Sequence, residues 1–114
     1  MTRSELEERL IVFAVMIMKI ADSLPNTRSG VTIANQIVRS GTSPALNYGE
    51  AQSAESTKDF IHKCQIVLKE LRETLVSLKI IQRANLLKDV ELEIKENNEL
   101  ISIFVETVNK LKNK

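Results

Sequence analysis

From Leu6 to Leu111 the apolar residues keep returning three and four positions apart. Leu6, Leu10, Phe13, Ile17, Ile20 and Leu24 step alternately by four and three, the spacing that lines one side of an α-helix. Three further segments repeat the pattern. Phe60, Cys64, Val67, Leu71, Leu78 and Ile81 form one seam, widened by Ile61, Leu68 and Leu75. Val90, Ile94, Ile101, Phe104, Val108 and Leu111 form another, which Asn97 interrupts where an apolar residue is expected. Ala34, Ile37, Gly41, Ala45 and Tyr48 form the last and least apolar. Period-two alternation is absent over any useful length. With Gly 3 and Pro 2 the chain also lacks the turn residues of a many-stranded sandwich or barrel. The spacing therefore predicts an all-α protein, an antiparallel up-down-up-down four-helix bundle occupying 1–114 as one domain.

Helix boundaries follow from capping chemistry. Helix 1 is expected from about Ser4 to Ser23, with Ser4 and Glu7 as a capping box and Leu24-Pro25 as its stop. Helix 2 begins near Thr27 to Ser29 and meets Pro44, which cannot donate to the carbonyl of Ser40. The apolar spacing stays in phase across that proline, so helix 2 is expected to kink near Pro44 and continue to about Ser53. Helix 3 should run from Thr57 to about Ala84, capped by Ser56 and stopped by a left-handed Asn85. Helix 4 should run from Asp89 to about Leu111, with Leu87 and Leu92 as a hydrophobic staple.

Helix 1 is more apolar than one seam requires. Over Leu10 to Met18, LIVFAVMIM, it is apolar all round, with a second stripe of Ile11, Val15 and Met18 and a third of Val12 and Met16. A helix of this kind is buried on more than one side. Two readings fit: a generously apolar core helix, or contact with another copy of the chain through Ile11, Val15 and Met18. The run is too short for a bilayer, which needs ~20 residues. The opening MTRSELEERL lacks the basic start of a secretory signal. A cytoplasmic protein with no membrane partner is expected.

The chemistry-bearing residues do not assemble into a catalytic motif. One Cys and one His exclude a disulfide framework and most His- and Cys-based metal sites. Asp59-Phe-Ile-His62 is the nearest approach to a carboxylate–histidine pair, and His62 reads as facing solvent among polar neighbours. Cys64 lies in an apolar seam and reads as an inert thiol, with no flanking cation to lower its pKa. No phosphate-binding glycine loop, nucleophile elbow or zinc spacing occurs. Glu93, Glu96 and Glu99 read as a solvated acidic face. No catalytic residue, cofactor or metal is expected, and the chain is read as a non-enzyme.

Lys+Arg 16 against Asp+Glu 15 leaves a net charge of +1, so no strong global field acts on nucleic acid. Lys58, Lys63, Lys69, Arg72 and Arg83 are interleaved in sequence with acids, and the few aromatics make no base-stacking platform. A row of hydrogen-bonding side chains on helix 2 is more distinctive. Gln36, Arg39, Ser43, Asn47 and Glu50 step by three and four and share a face expected opposite the Ala34–Tyr48 seam. The row fits a solvated face, a contact with a neighbouring subunit that fixes helix register, or a site for an external ligand such as RNA. One version of the last is a small-molecule or enzyme site at a subunit interface around Arg39, Asn47 and Glu50, with Glu50 held by Arg39.

The stretch from Gln36 to Gln52, QIVRSGTSPALNYGEAQ, resembles the signature of the four-helix-bundle proteins related to 23S rRNA intervening-sequence proteins. The matching positions are Gln36, Arg39, Ser40, Gly41, Thr42, Ser43, Asn47, Glu50 and Ala51, followed in the next segment by Lys58, Asp59, Phe60, Lys69, Glu70 and Glu73. The chain departs from that pattern at Pro44 and Ala45, where many relatives carry an apolar residue or Gly. It departs again at Ser77 to Ile80, where many carry an aromatic. The resemblance implies an up-down bundle assembled as a ring, a homopentamer in known relatives. It also implies a link to insertions within large-subunit rRNA genes, and, through a distant branch, partners such as RNA and a reverse transcriptase. It supplies no catalytic residues.

Overall fold

The computed structural model describes all 114 residues and contains four helices: α1 (Arg3–Ser23), α2 (Arg28–Ala51), α3 (Thr57–Arg83) and α4 (Glu91–Lys112). They form an elongated body of 47 × 21 × 19 Å. α1 packs on α2, α2 on α3 and α3 on α4, while α4 touches α1 sparingly and closes the ring. Contacts between neighbours run in opposite chain directions. Lys63 meets Glu50, whereas ten residues further along α3 Glu73 meets Arg39. Gln82 at the end of α3 likewise meets Glu91 at the start of α4. Each helix therefore lies antiparallel to the one before it, and α1 and α3 sit on diagonal corners.

The caps show how the sequence fixes these ends. The capping box of α1 is Thr2 and Glu5, two residues earlier than expected. Glu5 N–H donates to Thr2 Oγ1 and Thr2 N–H to Glu5 Oε1, each at 3.1 Å. Those bonds hold the Glu5 carboxyl below its usual pKa. Thr27 caps α2 by accepting from Gly30 N–H at 3.0 Å. The position demands glycine, because a Cβ at Gly30 would stand 2.0 Å from the Pro25 carbonyl oxygen. Ser56 caps α3. At the other end Asn85 takes φ 56°, with Leu86 N–H donating to Ile81 O and Asn85 N–H to Gln82 O. This is the paired bonding of a Schellman stop. α4 begins at Glu91 rather than Asp89, and Asp89 Oδ1 accepts from Glu91 N–H at 2.9 Å. The expected staple is not formed: Leu92 is 68 % exposed, and Val90 is buried instead.

α2 continues without a break through Pro44, which is itself buried. Its buried face is set by size more than by apolarity. Ile37, Ser40, Gly41, Pro44, Tyr48 and Ala51 are buried, while Ala34 and Ala45 of the expected seam are only half-buried. Gly41 admits the side chain of Ile17 from α1, and Ser40 Oγ accepts from Thr74 Oγ1 of α3 at 2.9 Å. Phe13, Ile17, Ile37, Val67, Leu71, Leu78, Ile81, Leu100 and Phe104 fill the core. At one end Tyr48 stands edge-on to Phe60 and Phe104, with ring centroids 6.4 and 5.4 Å apart.

The seam of α4 also differs from the spacing-based one. It runs through Val90, Asn97, Leu100, Phe104 and Val108, with Ile94 and Ile101 at its edge. Asn97 is fully buried. With its amide turned to the orientation that suits its neighbours, its nitrogen donates to the Leu71 carbonyl at 3.0 Å and its oxygen accepts from the Leu75 N–H at 3.1 Å. Asn97 thus joins the core by bonding the backbone of α3, so its burial leaves no polar atom unmatched.

Candidate interaction faces

The polar row of α2 lies on the flank that meets α3, not opposite the apolar seam. Arg39 Nη1 donates to Glu70 Oε2 at 3.2 Å, and Nη2 donates to Glu73. Glu50 Oε2 accepts from Lys63 Nζ at 2.8 Å, a bond that raises the Lys63 pKa. Asn47 Nδ2 donates to Ser43 Oγ at 2.9 Å and to the Ser43 carbonyl at 3.0 Å. Gln36 is exposed. The five side chains therefore share one rim, but the expected Arg39–Glu50 contact does not occur. Each of those two is taken by a separate residue of α3, and no principal cavity is lined by Arg39, Asn47 or Glu50.

The important member of that rim was hidden in the sequence. The Glu70 side chain is 11 % exposed, and Arg39 supplies the cation beside it. An exposed ion pair contributes little, ~0–1 kcal/mol. A nearly buried carboxylate left without its partner costs more than a lost surface pair, ~1–3 kcal/mol. Arg39 thus acts first within the chain, as the partner of Glu70. Only the burial of Glu70, which spacing alone does not reveal, identifies that role.

The other candidate residues of the sequence separate cleanly. His62 is exposed. Cys64 is buried, and burial pushes its thiol up to about 11. No group of three or more His, Cys, Asp or Glu side chains is arranged to hold a metal ion. Glu96 is not merely solvated. It accepts from Arg9 Nε at 2.8 Å and Nη2 at 2.7 Å, tying α4 to α1 and raising the Arg9 pKa.

On α1 the core takes Leu6, Leu10, Phe13, Ile17 and Ile20 and leaves the second stripe outside. Ile11, Val15 and Met18 are 44, 44 and 46 % exposed, and Val12 beside them is 50 % exposed. Successive steps of four and three place Ile11, Val15 and Met18 in one line along the outer side of the helix. No helix of the chain is long and apolar enough to cross a membrane.

The sequence matches, over residues 4–111, the family model described as 23S rRNA-intervening sequence protein. The chain belongs to that family. A solved structure described as a protein of unknown function from the S23 ribosomal protein family of Bacteroides thetaiotaomicron superposes with a TM-score of 0.87 at 30 % identity. The alignment covers 96 % of this chain and 99 % of that one. Among curated proteins, none matches the chain. For this intervening-sequence family member the four-helix architecture is thus shared with a solved relative along nearly its whole length. What this chain presents outward is an apolar row on α1 and, on the α2–α3 rim, charges satisfied largely from within.

Proposed function

We propose that this family member is a non-enzymatic, ring-forming homo-oligomer, built of five copies, that acts as an RNA-associated scaffold in the cytoplasm. The observation that carries the assembly is the exposed row Ile11, Val12, Val15 and Met18. Fully burying an aliphatic side chain contributes ~1.5–3 kcal/mol, so covering four half-exposed ones contributes about 4 kcal/mol per copy. A contiguous apolar row of this kind on a small soluble domain marks a contact surface. The family resemblance supports ring closure with five copies, and the intervening-sequence description supports the association with RNA. The lack of converging free polar groups around Arg39, Asn47 and Glu50 favours a scaffold over a small-molecule site.

Light scattering on the eluting protein tests the assembly. Five copies of 12.9 kDa give a mass of about 65 kDa. Val15→Asp places a charge in the row at a site the monomer leaves half-open, so the helical circular dichroism should persist while the mass falls to that of one chain. A wild-type protein that elutes as a monomer at micromolar concentration refutes the assembly.

A further inference from the structure

The near-zero net charge conceals a one-signed face on α3. Lys58, Lys69, Arg72, Lys79 and Arg83 are all exposed. At 3.6 residues per turn they fall within an arc of roughly 80° on the outer side of the helix. None of the five takes part in an ion pair. The acids that interleave with them in sequence are turned elsewhere. Glu70 and Glu73 face α2, where Arg39 takes both. Asp59 stays at the helix start, accepting from Glu55 N–H. Lys63, the remaining cation of α3's first half, points to Glu50 and lies outside the arc. Outside α3 most of the acids lie on α1 and α4, and none of them forms an ion pair with these five cations.

We infer that the outer face of α3 is the surface that holds the phosphate backbone of an RNA duplex. The inference rests on the RNA association proposed above and names its site. Lys58 to Arg83 spans about 37 Å at 1.5 Å per residue, long enough to reach several phosphates of one duplex. Five unpaired cations along one face supply the counter-charge that a phosphate backbone attracts. The face carries no aromatic side chain, so it lacks the stacking platform that single strands need. Contacts confined to phosphates position a duplex without reading its sequence. Val76 and Ile80 are the only large apolar residues exposed on the helix. They are too few for a helix that lies in a lipid surface, which needs a broad apolar face.

The test uses the full chain, a 30-base-pair RNA duplex of arbitrary sequence, the DNA duplex of the same length, and vesicles rich in anionic lipid. Five phosphate contacts predict that log affinity falls with log salt at a slope of about −4. The variant Lys69→Gln/Arg72→Gln/Lys79→Gln should bind the RNA at least tenfold more weakly and lose about three from the magnitude of that slope. Lys63→Gln, off the face, should change neither, and the mass by light scattering should stay that of wild type throughout. A triple variant that binds like wild type overturns the assignment of the face while leaving RNA association intact. Wild type that binds no RNA at low salt overturns both. Dissociation of the oligomer by the triple variant, binding to DNA alone, or preference for vesicles over RNA each overturns the inference.

Discussion

Substituting Gly41 by alanine should destabilise this protein, although the same change in most exposed helices does the opposite. Glycine inside a helix costs roughly 0.5–1 kcal/mol relative to alanine through its backbone freedom. At Gly41 a Cβ would stand 2.4 Å from Ile17 Cγ2 and 2.8 Å from Ile17 Cβ. Carbon atoms pack comfortably at ~3.5–4.0 Å, so the shortfall exceeds an ångström. Ile17 cannot swing aside cheaply, because a β-branched side chain in a helix has one strongly preferred rotamer. It is also fully buried. α1 and α2 must therefore separate, and overpacking of this kind costs ~1–3 kcal/mol. The net effect is a loss of about 1 kcal/mol, or about 4 °C in Tm for a domain of this size. Gly49→Ala is the matched control. Its new Cβ meets only the end of the Glu7 side chain, at 3.2 Å, so it should gain the ordinary helix benefit of ~0.5–1 kcal/mol. Urea unfolding at one fixed protein concentration measures both, which keeps any contribution of assembly constant. Adding Ile17→Ala should recover part of the Gly41→Ala loss in a double-mutant cycle. Gly41→Ala that stabilises as much as Gly49→Ala refutes the close approach of α1 to α2.

Two further outcomes depend on buried groups. Asn97→Asp puts a carboxyl against the Leu71 carbonyl in a site fully closed to water, which raises the carboxyl's folded pKa above its unfolded ~3.9. The variant should therefore lose stability relative to wild type as pH rises from about 4 to 7, by roughly 3 kcal/mol or more at neutrality; denaturant midpoints that track wild type at every pH rule this out. With its thiol raised to about 11, Cys64 should stay unreactive towards a disulfide reagent at pH 8 until urea unfolds the chain. Its contribution should be intact below ~8.5 and lost as pH rises towards the folded value, and rapid labelling of the native protein would contradict the burial.

The sequence made the helices legible and left their rotations uncertain, for a physical reason. The existence, length and order of the helices follow from a period that only a helix satisfies. Local signals such as Ser56 and Asn85 act within a few residues of where they sit. The capping box of α1 was misplaced because Thr2-x-x-Glu5 and Ser4-x-x-Glu7 overlap, and either can start the same helix. The face of α2 was misjudged because apolarity does not choose it. Ser40, Gly41 and Pro44 are buried since two neighbouring helices approach closely there, and small size matters more than oiliness. Asn97 looked like a break in the α4 seam, yet its amide matches the helix backbone it faces. In the polar row, the partners of Arg39, Glu70 and Glu73, lie on another helix, and no spacing within α2 points to them.

The two outward faces constrain each other. The apolar row of α1 and the cationic face of α3 occupy diagonal corners of one small bundle. If copies assemble by covering the α1 row, the surface that covers it cannot be α3. Seating five unpaired cations on Ile11, Val15 and Met18 would strip their water without supplying a counter-charge, at several kcal/mol per ion. The covering surface must lie elsewhere, and α2 offers Val31 and Leu46, exposed at 45 and 67 %. An α1-to-α2 contact between copies is heterologous, the class of interface that closes into rings when the rotation permits. It would leave the α3 face of every copy free. A ring built this way would present the cationic face once per subunit, so weak phosphate contacts on each would reinforce one another wherever a single duplex reaches two of them. Leu46→Asp should then dissociate the assembly as Val15→Asp does. An assembly indifferent to Leu46→Asp but broken by Val15→Asp would show that α1 is covered by some other surface.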